Sequence, residues 1–120
     1  MLVFVYGTLK RGFYNQSYLE DSHFIGEAIT KDKYPMVKME EYFPYLINDK
    51  NTGNYIKGEV FEITNTTLKK LDILEGYPAL YTRETIEVEI QDDTIEVIVY
   101  FLNGKIDFSE SDLLEEFIDS

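Results

Sequence analysis

The sequence contains no cysteine and a single histidine, His23. Without cysteine there are no disulfides, no thiol nucleophile and no thiolate metal site. A lone histidine argues against a zinc site or a His-based catalytic triad. Cations are also scarce: 11 Lys and Arg stand against 23 Asp and Glu, a formal charge of −12. Such an excess of negative charge argues strongly against nucleic acid or an anionic membrane surface as partner. No apolar stretch approaches the roughly eighteen residues of a spanning helix, and no basic-then-apolar leader opens the chain. The expectation is a soluble, cytoplasmic protein. For catalysis the chain is left with Asp, Glu, Tyr, Lys and Ser/Thr. Its 120 residues suit one domain, 1–120, with a real core, and 8 Phe with 10 Tyr suit a β-rich body with aromatic packing.

The first eleven residues, MLVFVYGTLKR, organise the rest. Leu2-Val3-Phe4-Val5-Tyr6 is a short, continuous apolar run ended by glycine, the pattern of a strand buried on both faces. Gly7 allows a sharp turn and tolerates φ > 0. The amides of Gly7, Thr8 and Leu9 are then free to form a concavity for a carboxylate or an oxyanion. Taken alone, a strand followed by glycine is more often an ordinary turn.

Downstream, Gly12 to Asp21 holds one short helical turn, and Phe24 to Ile29 reads as a strand with a bulge at Gly26. His23 falls on the surface. Two Pro-aromatic segments, at 34–39 and 43–47, look like walls rather than regular sheet, and irregular core is the competing use. Tyr55 to Ile63 predicts a strand kinked at Gly58. The clearest helix follows, capped by Thr64 or Asn65, with its body over Leu68 to Glu75 and Gly76 as its stop. Tyr81 to Ile90 and Thr94 to Leu102 alternate at period two around a Gln91-Asp92-Asp93 turn, an antiparallel hairpin. Ile86, Val88 and Ile90 share one face, Glu87 and Glu89 the other. The tail from Ser109 to Ile118 opens on a capping box, Ser109 with Asp112. It carries Leu113, Leu114, Phe117 and Ile118 on one face, which predicts an amphipathic helix.

Most of the acids are solvated surface. Glu75 is different. At about 100° per residue, Leu68, Leu71, Leu74 and Glu75 fall at about 0°, 300°, 240° and 340°. The carboxylate therefore lies inside the apolar stripe, and in the last turn, where the helix dipole disfavours negative charge. Burial and dipole both push its pKa upward, toward the range useful for proton transfer near neutral pH. A frayed last turn that lets Glu75 bend out to water is the alternative.

Two stretches together, VYGTLKRG over 5–12 and LD…EGYPALYTR over 71–83, resemble the γ-glutamylcyclotransferase-like family, and within it the γ-glutamylamine cyclotransferase branch. Either half alone is a weak signal. The pair is specific, and the likeness runs from residue 2 to about residue 102. It implies an α+β fold: a small mixed β-barrel with a few short peripheral helices and a pocket at one end. By the same resemblance, Tyr6, Gly7, Thr8 and Leu9 bind the γ-glutamyl moiety, largely through backbone amides, and Glu75 is the catalytic acid/base. Neither a metal nor an organic cofactor is implied, and the partner is a small-molecule γ-glutamyl substrate.

In that chemistry the α-amino group of a γ-glutamyl amide attacks its own γ-carbonyl and closes 5-oxoproline. Such a reaction needs a folded-back conformation rather than a Ser or Cys nucleophile. Tyr81, Arg83 and Tyr100 are further pocket candidates, although a strand tyrosine is more often core and a strand arginine more often surface. Two other readings stay open. One is a non-catalytic module of the same fold binding a γ-glutamyl or 5-oxoproline-like metabolite; the other is an acidic interaction scaffold. The identity of the amine leaving group is not written in the chain.

Overall fold

Strand β1 (Leu2–Val5) is the seam around which the molecule closes. In the computed structural model, which describes residues 1–13, 15–40, 43–104 and 106–117, β1 pairs antiparallel with β5 (Asn54–Glu62). On its other side it runs parallel to β7 (Asp93–Leu102), Val3 lying opposite Ile98. With β2 (His23–Tyr34) and β6 (Tyr81–Ile90), this contact closes a mixed barrel in the order β1-β5-β2-β6-β7. Both faces of β1 are buried, as its unbroken apolar run predicts. Phe4 joins a core drawn from all five strands, with Ala28, Ile56, Val60, Val88 and Phe101. Val3 and Val5 point the other way, into a second cluster with Phe61, Leu71 and Tyr100.

Leu71 is contributed by α1 (Asn65–Glu75), which packs on the outside of the barrel. Its start is fixed by Thr64, whose hydroxyl accepts from the Thr67 N–H at 3.2 Å. Its end is fixed by Gly76 at φ 65°, a left-handed conformation that glycine adopts without steric cost. The β6–β7 hairpin has the predicted alternation, Ile86, Val88 and Ile90 being buried and Glu87 and Glu89 exposed, but its turn is shorter than expected because Asp93 pairs with Ile90. Gly26 sits at a register shift in β2, the expected bulge. A Cβ on Gly58 would come within 2.5 Å of the Phe4 ring and the Val5 carbonyl, which accounts for glycine there. The short helical turn expected before His23 is a 3₁₀ turn over Gln16–Leu19, and His23 is exposed. No helix among the described residues is long and apolar enough to cross a membrane.

Two expectations are corrected. The Pro-aromatic segments form regular sheet: β3 (Met36–Glu40) pairs antiparallel with β4 (Phe43–Leu46). Pro44 is tolerated because β4 is an edge strand, where the missing N–H leaves no ladder bond unmade. The tail, predicted as an amphipathic helix, is instead a 3₁₀ turn over Glu110–Asp112 followed by β8 (Leu113–Leu114), antiparallel to Met36 and Val37. A ten-residue helix is marginal in water, whereas the free edge of β3 offers unmet backbone groups. The capping contact is present, the Ser109 N–H donating to the Asp112 carboxylate at 3.0 Å, but it starts only one turn. Phe117 is buried; Ile118, assigned to the same apolar face, lies outside the described residues.

Candidate active site

Where β1 ends, the chain leaves the barrel rim through Tyr6, Gly7, Thr8 and Leu9. A turn closes here, the Lys10 N–H donating to the Gly7 carbonyl at 3.1 Å. Thr8 is held from both its ends: its carbonyl accepts from the Asn15 N–H at 3.0 Å and its hydroxyl from Asn15 Nδ2 at 2.9 Å. The amides of Gly7, Thr8 and Leu9 donate to nothing among the described residues. Three successive N–H groups are thus left without a partner among the described residues, on a stretch that lines a cleft. The reason for glycine differs from the expectation, because Gly7 is not in the positive-φ region. A Cβ there would lie 3.0 Å from Pro44 Cγ and 3.2 Å from Cδ, so the close approach of β4 leaves little room for a side chain at Gly7.

Glu75 reaches the same cleft from the last turn of α1. It is half-buried and makes no hydrogen bond or ion pair with any described residue. Burial raises its pKa from the ordinary 4.5 to about 7. The placement read from helical periodicity is therefore realised, and the frayed alternative is not.

Around the carboxylate stand three tyrosines. Tyr6 donates its hydroxyl to the Tyr100 carbonyl at 2.7 Å, and burial, then Tyr81 and Glu75, keep that phenol protonated. Tyr81 is raised by burial first and by Glu75 second. Tyr100 is raised by burial and by the hydrogen bond its hydroxyl donates to Asp72. Together with Gly7, Thr8, Leu9 and Pro44, these residues line a narrow cleft that opens to solvent. Every candidate residue but one faces that cleft.

Arg83 is the exception. It is absent from the cleft lining and binds Asp72 through two parallel bonds, Nε to Oδ1 at 2.8 Å and Nη2 to Oδ2 at 3.1 Å. Its guanidinium also lies 4.3 Å from the Tyr77 ring centroid. Asp72, one helical turn before Glu75, additionally accepts from the Tyr100 hydroxyl at 2.6 Å. The carboxylate thus pins the end of α1 to the β6–β7 hairpin. Residue-by-residue reading of the sequence did not single out Asp72, since both its partners come from strands whose approach to α1 is a tertiary event. Pro44 was likewise seen only as a wall of something.

Among the described residues no group of three or more His, Cys, Asp or Glu side chains is placed to hold a metal ion. The cleft combines one carboxyl group that exchanges protons near neutral pH with a row of fixed N–H dipoles. That equipment suits moving a proton beside a developing negative charge.

Comparison with known proteins places the chain in a family. Residues 3–117 match the family described as gamma-glutamyl cyclotransferase, AIG2-like. A Drosophila melanogaster protein provisionally named a gamma-glutamylcyclotransferase is 44% identical over 110 residues, covering 85% of this chain and 69% of its own. Gamma-glutamylaminecyclotransferase A of Danio rerio is 39% identical over 107 residues, covering 82% of this chain and 66% of its own. Among solved structures, an AIG2-like protein of Mus musculus superposes with a TM-score of 0.82 at 28% identity, over 99% of this chain and 86% of that one. The chain belongs to the AIG2-like gamma-glutamyl cyclotransferase family.

Proposed function

We propose that this protein is a γ-glutamylamine cyclotransferase that releases 5-oxoproline and a free amine without a metal. The observation that carries the reading is the unpartnered Glu75 carboxyl, poised at about pH 7, in one cleft with the unpaired amides of Gly7, Thr8 and Leu9. The likeness to proteins named for this activity supports it.

The substrate enters with its α-amino group protonated. Glu75, ionised, accepts a proton from that ammonium. The freed nitrogen attacks the γ-carbonyl carbon, and one C–N bond forms to close the five-membered ring. Held folded back in the cleft, the nucleophile and carbonyl react as a single molecule. Charge develops on the γ-carbonyl oxygen, where the loop amides stabilise it as preorganised donors. Collapse breaks the bond to the departing amine, to which protonated Glu75 gives its proton; the ring nitrogen, which still carries one proton too many, releases it through Glu75 to the same amine, which leaves as an ammonium. No water is consumed and Glu75 ends as it began. Tyr6, Tyr81 and Tyr100, all held protonated, supply walls rather than a competing base; the Tyr6 and Tyr100 hydroxyls are already committed to the Tyr100 carbonyl and Asp72, which leaves Tyr81 as the donor. The leaving group is an amine such as a lysine side chain, a polyamine or an amino acid.

The test is incubation of the purified protein with a panel of γ-glutamyl amides in the presence of chelator, reading released 5-oxoproline by HPLC. Release from at least one γ-glutamyl amine is expected, with kcat/KM rising as pH passes through about 7. Silence across the panel, or activity restored only by added metal, overturns the proposal. Thermal stabilisation by a γ-glutamyl amide without turnover would assign the chain to the metabolite-binding reading instead.

A further inference from the structure

We propose that Lys10 is a positioning residue, which clamps the substrate-binding loop to the C-terminal segment by donating its ammonium to the Phe117 carbonyl. The proposal rests on the reading that residues 6–9 hold the γ-glutamyl moiety.

Lysine is rarely buried, yet Lys10 is only 6% exposed. Its Nζ donates to the Phe117 carbonyl oxygen at 2.7 Å, across 107 positions of sequence, and lies 4.9 Å from the centre of the Phe13 ring. Burial lowers its pKa, opposed by Glu116, Glu59 and Glu27. With those three carboxylates around it the ammonium stays charged, and the short charge-assisted bond to the Phe117 carbonyl is the contact that ties the loop to the tail. Each side of the clamp is anchored independently. On the tail side, β8 pairs with β3, the Lys57 N–H donates to the Glu115 carbonyl at 2.8 Å, and the Phe117 ring packs 5.5 Å from that of Phe13. On the loop side, the next residue, Arg11, is tied to β5 by its N–H and Nε bonds to Glu59 at 2.8 and 3.3 Å.

Lys10 also supplies the N–H that closes the turn on Gly7, so the residue held by the tail is the one that shapes the loop. Free amides bind an anion well only if their directions are fixed beforehand, because ordering them on binding costs affinity. The tail segment, outside the motif that resembles the family, is thereby recruited to the site.

Lys10→Met and Lys10→Arg, assayed beside the parent protein, test this. Lys10→Met should raise KM about tenfold or more, the scale of one lost charge-assisted hydrogen bond. The pH midpoint of kcat, set by Glu75, should not move. Lys10→Arg, whose guanidinium can donate to the same carbonyl, should recover most of the loss. Hydrogen exchange at the amides of position 10 and Asn15 should quicken in Lys10→Met, a readout independent of activity. A folded Lys10→Met protein with parental KM and parental exchange overturns the clamp. If that variant does not fold, Lys10→Gln, a neutral residue that weakens the same bond, takes its place. A raised KM with quickened exchange there supports the clamp, and parental values of both overturn it. If the parent itself releases no 5-oxoproline, the proposed function falls, while the exchange measurement still decides the clamp.

Discussion

Replacing Glu75 with glutamine separates the chemistry of the cleft from its stability, because the two move in opposite directions. The folded-state pKa of Glu75 is about 7 against an ordinary 4.5. At about 1.36 kcal/mol per pH unit, that gap means ionised Glu75 destabilises the fold by at most about 3 kcal/mol. The sign follows from which form the fold prefers. Below about pH 4.5 the carboxyl is protonated in both states and costs nothing extra. Between the two pKa values the unfolded chain ionises first, and stability is lost as pH rises. Above about pH 7 the loss is complete.

Glutamine keeps the size of the side chain and cannot ionise. Any fixed cost of placing its amide in the cleft is the same at every pH and drops out of the trend. Urea unfolding of both proteins between about pH 4 and pH 8 should therefore show a stability difference that grows in favour of Glu75→Gln, by up to about 3 kcal/mol. With m near 1.5 kcal/mol/M, that is a midpoint shift of up to about 2 M. The same variant should lose about 10²-fold to 10⁴-fold in 5-oxoproline release, the usual contribution of a general acid–base group. A stability difference that stays flat across the range, with activity retained, refutes both the buried carboxylate and its catalytic role.

Other perturbations address the parts that hold Glu75 and its neighbours. Gly7→Ala brings a Cβ within about 3 Å of Pro44 and should keep the fold while weakening 5-oxoproline binding; Gly7→Val, with two more methyl groups against a buried proline, should abolish it by calorimetry. Unchanged affinity in a folded Gly7→Val protein would remove the loop amides from the site. Asp72→Asn removes the acceptor charge shared by Arg83 and Tyr100 and should cost about 1–3 kcal/mol in denaturant unfolding. Its activity should fall less than that of Glu75→Gln, because the proton carrier remains; an equal fall would make Asp72 a participant in the chemistry.

What could be read without coordinates was whatever the chain settles locally. The caps of α1, the stop at Gly76 and the β6–β7 hairpin are decided by residues a few positions apart, and all are present, with β7 starting one residue earlier than expected, at Asp93. Glu75 was legible because its burial follows from helical periodicity. Long-range pairing was not legible. Nothing in Val3 announces Ile98 as its parallel partner across the seam. The tail was misread because its apolar spacing fits a helix, while the edge of β3 that captures it lies more than seventy residues away in sequence. Arg83 was placed in the pocket by its position in the motif, yet Asp72 intercepts it before it reaches the cleft.

The acids of this chain make the same distinction between local and tertiary causes. Its charge of −12 comes overwhelmingly from side chains that water solvates, and their number says nothing about the site. Glu59 is buried but compensated, accepting from the N–H and Nε of Arg11. Asp72 is half-buried and compensated by Arg83 and Tyr100. Glu75 alone among these three is withdrawn from water and given no partner. A carboxyl in that condition resists ionisation, and a fold selected only for stability would have replaced it with glutamine or leucine. Its retention in a cleft lined with unpaired amides is explained if the missing partner arrives with the substrate: an α-ammonium supplies the cation that Glu75 lacks, and the carbonyl or carboxylate oxygens of the same molecule supply the acceptors the loop lacks. The two deficits are complementary, and the γ-glutamyl group of the proposed substrate would meet both.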